Sequence, residues 1–230
     1  MLGIIGAMEV EVRTLRESMS DVEALTVAGM TFYKGTLEGK EAVLVRSGVG
    51  KVNAGLCSQI LVDRYRVEGI INTGIAGSLK NEVNIGDIVL STTAVQHDVD
   101  AVGFGYQLGE IPQLGVKEFP ADAHLLEVAL KCCREANPDI QTFTGRVASG
   151  DQFVNSREKK QWILEHFDAY CTEMEGAAIA QAAYLNRTPY LVVRAISDKA
   201  DDSADMDYSA FEAKAVEHSV RLIRAMLRAL

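Results

Sequence analysis

Carboxylates stand at several points where an apolar run gives way to a helix or a polar turn, and paired carboxylates can divide the work of acid and base. Thr172-Glu173-Met174-Glu175-Gly176 follows the apolar run Phe167 to Cys171 and leads into an alanine-rich helix, Ala177 to Leu185. In an open α/β sheet the carboxyl end of a strand opens on the ligand crevice. A glutamate in a first helical turn also suits the helix dipole, so Glu175 alone reads equally as a ligand group or an ordinary helix-start carboxylate. Asp198 follows Val192-Val193-Arg194-Ala195-Ile196, an apolar strand that delivers it to the same crevice. Desolvation and neighbouring carboxylates raise the pKa of a carboxyl held there, which fits a general acid. Pairing with Arg194 is the structural alternative. Glu9 and Glu11 follow the first apolar run, Leu2 to Ile5, at a helix start. Two residues apart, they point about 200° away from each other, so one can face the crevice and the other solvent. Spacing does not say which.

Other motifs carry less. Ser47-Gly48-Val49-Gly50-Lys51 lacks the third glycine of a dinucleotide fingerprint, because Asn53 stands there, and lacks the hydroxyl of a P-loop, because Val52 stands there. It reads as a glycine junction exposing backbone N–H groups at a helix start. No Gly-x-Ser-x-Gly elbow occurs, which disfavours acyl transfer by serine. His97-Asp98-Val99-Asp100 has no partner cluster to complete a metal site and reads as the polar entry to a loop. Phe153, after the polar Ser149-Gly150-Asp151, is placed to stack on a flat ligand or to pack in the core.

The elements that must position these groups alternate. Strands are expected at 2–5, 69–72, 86–95, 141–148, 167–171 and 189–195, and helices at 9–18, 52–65, 123–135, 158–166, 177–185 and 211–230. Residues 23–46 read as three antiparallel strands with a turn at Glu38-Gly39. Asn72-Thr73-Gly74-Ile75-Ala76-Gly77 reads as a strand end followed by a glycine junction, and 102–119 as a structured loop. The acidic run Asp201, Asp202, Asp205, Asp207 reads as a solvated loop. Strand–helix alternation favours parallel neighbours joined by right-handed crossovers, whose carboxyl ends converge on one crevice. The expected architecture is a single α/β domain over residues 1–230, a central mixed sheet between helical layers.

Composition narrows the partners. The 230 residues are 48% hydrophobic and 24% charged, with net charge −9 and pI near 5.0. Without a basic patch, nucleic acid and anionic membranes are not expected partners. No apolar run approaches the roughly 18 residues of a membrane span. Cys57, Cys132, Cys133 and Cys171 form no Cys-x-x-Cys pair and read as free thiols, which with a non-signal N-terminus suggests a cytoplasmic protein.

Together the motifs resemble the 5′-methylthioadenosine/S-adenosylhomocysteine nucleosidases of the purine nucleoside phosphorylase-like superfamily. The resemblance covers essentially the whole chain. It rests on Gly3-Ile-Ile-Gly-Ala-Met-Glu-Val-Glu11, Ser47-Gly-Val-Gly-Lys51, Asn72-Thr-Gly-Ile-Ala-Gly77, Phe104-Gly-Tyr106, Ser149-Gly-Asp-Gln-Phe153, Glu173-Met-Glu175 and Arg194-Ala-Ile-Ser-Asp198, in the family's order. It implies hydrolysis of an N-ribosidic bond without cofactor or metal. By resemblance, Glu11 activates the attacking water and Asp198 protonates N7 of adenine. Glu175 holds the ribose hydroxyls against Met174, and Phe153 stacks on adenine with the Val154 backbone at its edge. Arg194 and Glu173 lie near the water, and Ala76 and Gly77 belong to the binding wall. Met8, Val49 and Tyr208 line the 5′-alkylthio pocket. A homodimer is implied, in which the neighbour's 101–112 loop, with Phe104 and Pro112, closes that pocket. Ile75 replaces a serine common in the family and expected to support the acid, and Tyr208 stands where phenylalanine is common. A phosphate-dependent nucleoside phosphorylase, drawing on Arg13 or Arg46, an aminodeoxyfutalosine nucleosidase and a non-catalytic nucleoside-binding module are the alternatives.

Overall fold

The computed structural model describes residues 1–230, apart from the side chains of Asp205, Asp207 and Ser209. The first strand, β1 (Leu2–Gly6), is apolar and buried because it pairs in parallel on both sides, with β4 (Lys40–Arg46) and β5 (Gly69–Ser78). β2 (Ser20–Val27) and β3 (Met30–Leu37) extend that edge as antiparallel strands. On the other side β5 pairs in parallel with β10 (Tyr190–Asp198) and, at its carboxyl end, antiparallel with β9 (Cys171–Glu173). β6 (Ile88–Gln96) and β8 (Thr142–Ser149) pair in parallel and join β10 to β9, so β5, β10, β6, β8 and β9 form a closed ring. A short β7 (Glu118–Pro120) adds to β6. The sheet is therefore a ring and an open wing that share β5.

Helices cover both faces, which is why the central strands are apolar on both sides. α1 (Glu9–Glu17), α3 (Ala123–Ala136) and α6 (Ala204–Ala229) pack on one face through Val12, Leu15, Ala129, Leu222 and Met226. α2 (Lys51–Ile60) and α5 (Gly176–Asn186) cover the other through Ala54, Cys57, Ala180 and Ala183. α4 (Arg157–Phe167) closes the ring's end with Ile163 and Phe167. All four cysteines are buried and free. No helix among the described residues is long and apolar enough to cross a membrane.

The single α/β domain with a mixed sheet between helices matches the expectation, and four local readings change. β5 does not stop at Asn72. It continues through Ser78, wholly buried, because β10 and β9 supply ladder partners for the glycine-rich half. Phe167 is not strand: it ends α4, which stops at Asp168 in a left-handed conformation (φ 46°). α6 starts at Ala204, not at Phe211, so the acidic run enters a helix. The helix from Lys51 gives way to a π-helical turn at Leu61–Tyr65.

Candidate active site

A cavity of about 490 Å³ opens at the carboxyl ends of β1, β5, β9 and β10. Among the residues nominated from sequence, Met8, Glu11, Val49, Ala76, Gly77, Phe153, Glu173, Met174, Glu175, Asp198 and Tyr208 line it. Arg194 and Val154 are buried and outside its lining. Phe104 does not line it and is 89% exposed.

The floor is an ion pair with every side partnered. Arg194, delivered by β10, is 1% exposed and pairs with Glu173. Its guanidinium also donates to the Asn72 side-chain oxygen. Glu173 accepts from the Ser149 hydroxyl and from the backbone N–H groups of Glu175 (3.1 Å) and Gly176 (2.8 Å). Burial alone would push the Glu173 carboxyl up; Arg194, Ser149 and Gly176 outweigh it and hold it below the usual range. Arg194 thus pairs with Glu173, and the structural alternative for Asp198 falls away.

The wall above rests on backbone N–H groups. Glu11, at the third position of α1, turns back to accept from Ala7 N (2.6 Å) and Met8 N (2.9 Å), and from Ile75 N (3.2 Å) across on β5. It caps its own helix while facing the cavity. Glu9 points outward and pairs with Arg16 at 2.7 Å, as the angular separation of the two glutamates requires. Burial pushes the Glu11 carboxyl up, opposed by Arg194 and the three N–H groups. Glu175 accepts from Gly50 N at 2.8 Å, and Gly50 reaches it with φ 98°, a conformation that only glycine adopts easily. Burial and the neighbouring Glu173 charge raise Glu175 to about 7. Asp198 is 2% exposed; its Oδ1 accepts from Ala200 N (2.8 Å) and its Oδ2 from the Ser197 hydroxyl (2.8 Å).

Two glycines of β5 admit these carboxylates. A Cβ on Gly74 would lie 2.5 Å from Glu11 Oε1, and one on Gly77 would lie 2.7 Å from Asp198 Oδ1. Gly74 and Gly77 are three residues apart, on the order of 10 Å along a strand. Ile75 belongs to the apolar cluster that holds Leu90, Val193 and Met226 and also lines the cavity, and the hydroxyl partner of Asp198 is Ser197.

Aromatic rings form the rim. Phe153 is 47% exposed, which rules out core packing, and meets Tyr208 edge-to-face at 6.1 Å. Tyr208 Oη donates to Glu212 (2.9 Å) and contacts Met8 Sδ (3.3 Å). The loop that carries Phe153 is tied down by Lys51 and Asp98. Lys51 Nζ donates to Asp98 (2.6 Å), Asp98 accepts from Asp151 N (2.9 Å), and Asp151 accepts from Lys51 N (2.8 Å). His97 is fully buried beside Gly150, and burial lowers its pKa to about 4.

A family model described as Phosphorylase superfamily matches residues 1–228. The 5′-methylthioadenosine/S-adenosylhomocysteine nucleosidase of Staphylococcus saprophyticus is 40% identical over 231 residues, spanning 100% of both chains. The chain belongs to the phosphorylase superfamily, among these nucleosidases. The structure of the Neisseria meningitidis nucleosidase in complex with methylthio-immucillin-A has a TM-score of 0.96 at 37% identity, covering 100% of this chain and 99% of that one. The futalosine hydrolase of Helicobacter pylori strain 26695 has a TM-score of 0.94 at 34% identity, covering 100% and 97%. These nucleosidase relatives span the chain from end to end.

Three small polar members of this site were not among the residues expected from sequence. Asn72 and Ser149 saturate the ion pair, and Ser197 supports Asp198. Ser149 and Ser197 stand within motifs already singled out, next to Gly150 and Asp198, and Asn72 opens a third.

Proposed function

We propose that this chain hydrolyses the N-ribosidic bond of 5′-methylthioadenosine and S-adenosylhomocysteine, releasing adenine and the thioribose product. The observation that carries this is the pair Glu11 and Asp198, both buried, both set on N–H or O–H donors, beside Gly74 and Gly77 of one strand in one cavity. Cleavage develops positive charge on the ribose and negative charge on the departing base. Asp198 gives its proton to N7 and neutralises the base. Glu11 takes a proton from the attacking water on the ribose side, the division of labour of an inverting glycosidase. Glu175 accepts the ribose hydroxyls, with Met174 against the sugar. Phe153 and the Val154 backbone hold the adenine ring and edge, and Ala76 and Gly77 bound it. Arg194 fixes Glu173 near the water, and Met8, Val49 and Tyr208 take the alkylthio group.

Water is favoured over phosphate as the nucleophile. Among the described residues the cavity has no arginine or lysine in its lining and has four carboxylates, Glu11, Glu173, Glu175 and Asp198. That set repels an anion and stabilises a cationic sugar. The test is adenine release from 5′-methylthioadenosine in phosphate-free buffer. Release without phosphate supports hydrolysis; a rate that requires phosphate means a phosphorylase. The likeness to the Helicobacter pylori futalosine hydrolase keeps aminodeoxyfutalosine as a second substrate, to be ranked by competition kinetics.

The enzyme acts as a homodimer in this reading. Phe104 (89% exposed), Val102 and, on α2, Val52 and Leu56 are exposed apolar side chains, and Val49, also exposed, lines the cavity. The partner's 101–112 loop, with Phe104 and Pro112, would cover it. Buried free thiols fit a reducing cytoplasm, where the thioribose product feeds methionine salvage.

A further inference from the structure

A second cavity, of about 400 Å³, lies beside the first and shares Ala7, Met8 and Val49 with it. Its remaining lining combines Ala28 and Met30 with polar groups, among them Arg46 at the end of β4, Asn53 on α2 and Glu9 on α1. Among the described residues Arg46 makes no ion pair, whereas Glu9 Oε1 is held by Arg16 at 2.7 Å. We propose that this cavity receives the amino-acid end of the S-adenosylhomocysteine tail, its α-carboxylate on Arg46 and its ammonium group towards Glu9. The proposal rests on the nucleosidase reading and adds to it a residue that tells substrates apart by their tails.

The direction of the tail follows from the main cavity. Asp198 marks the base end and Glu175 the ribose. Glu175 is bonded to Gly50 N, so the sugar lies next to Val49. The 5′-carbon is the part of the sugar remote from the base, and Met8 and Val49 form the apolar boundary it meets. A thioether suits that boundary. From sulfur, the homocysteine chain runs roughly 5 Å to its carboxylate, given bonds of about 1.5 Å, enough to pass Met8 and Val49. Beyond them a zwitterion needs one cation and one anion, and the second cavity offers Arg46 and Glu9. An arginine fork takes a carboxylate through two parallel hydrogen bonds. The main cavity cannot substitute, because its charged lining is all carboxylate. A methylthio tail ends at Met8 and Val49 and never meets Arg46.

The experiment compares three nucleosides, S-adenosylhomocysteine, 5′-methylthioadenosine and the neutral-tailed 5′-butylthioadenosine, on wild type, Arg46→Gln and Arg46→Glu. For S-adenosylhomocysteine, kcat/KM is expected to fall about three- to tenfold in Arg46→Gln, the scale of a partly exposed charged contact, and further in Arg46→Glu. The two uncharged tails should change less than twofold. Equal changes for all three substrates, or none for any, would overturn the proposal. If wild type releases adenine from none of them, the nucleosidase reading fails instead. Calorimetric binding of S-adenosylhomocysteine then decides the subsite: weaker binding by Arg46→Gln sustains it, and equal binding removes it.

Discussion

Glu173 in the floor and Glu175 in the wall are 7% and 6% exposed and only two residues apart, yet their carboxyls move in opposite directions. Glu173 has the Arg194 guanidinium, a hydroxyl and two N–H groups, and stays ionised. Glu175 has Gly50 N at 2.8 Å and Arg194 no nearer than 3.9 Å, and holds its proton to about 7. Equal burial therefore does not fix charge; the partners do. The floor is finished without ligand. The wall, with Glu11 and Glu175 both raised, leaves its charge to be settled by what binds.

The largest effect that tests this division comes from the wall. Asp198→Asn and Glu11→Gln should each lower adenine release by roughly 10²–10⁴, the scale of a lost acid or base. Near-normal turnover in either would remove that residue from its role.

The floor should answer in stability. Arg194→Met strips the cation from a buried carboxylate and should cost about 3–5 kcal/mol in urea unfolding. A variant as stable as wild type would show that the Arg194–Glu173 pair does not hold the floor together. Gly77→Ala lies between the two, since its methyl would stand 2.7 Å from Asp198 Oδ1. Displacing that carboxylate should lower turnover by roughly 10²-fold, with KM moving less.

The comparison also has a pH signature. Glu175 binds its proton more tightly folded than unfolded, 4.5 rising to about 7. Its contribution to stability is full below about 4.5 and is lost as pH rises through about 7. Glu173, lowered, contributes in the opposite sense: present above its unfolded value and lost as pH falls. Between pH 5 and 8, wild type should therefore lose stability relative to Glu175→Gln. Parallel curves for the two proteins would contradict the assignment. The smallest change is expected at the rim. Lys51→Met removes the ammonium that holds Asp98 in place under the Phe153 loop and should raise KM about threefold with kcat nearly unchanged.

Much of this was legible in the chain. Strand–helix alternation announced a mixed sheet with a crevice, and Glu11, Glu175 and Asp198 stood at its junctions. The carboxyl half of β5 was not legible. Thr73-Gly74-Ile75-Ala76-Gly77 has the composition of a turn and becomes strand because β10 and β9 pair with it. Glycine is required there by what approaches from outside, Glu11 and Asp198, which no local pattern records. Phe167 to Cys171 misled in the opposite way, because an apolar run bridged a helix end, a left-handed residue and a three-residue strand. Spacing left open which of Glu9 and Glu11 faces inward; the family resemblance named Glu11, and the fold puts Glu11 in the cavity and Glu9 on Arg16. That Arg194 pairs with Glu173 across 21 residues required the fold.

The four buried thiols make the molecule a clock of its own opening. Burial pushes the thiols of Cys57 and Cys171 well up, so in the closed protein neither offers thiolate to an alkylating reagent. Cys57 lies in α2, the helix that begins beside Gly50, and Cys171 is two residues before Glu173. The modification rate at Cys57 times the lifting of the helix behind the ribose site, and the rate at Cys171 times the loosening of the ion pair. Their ratio, with and without adenine, would show which part of the site yields first.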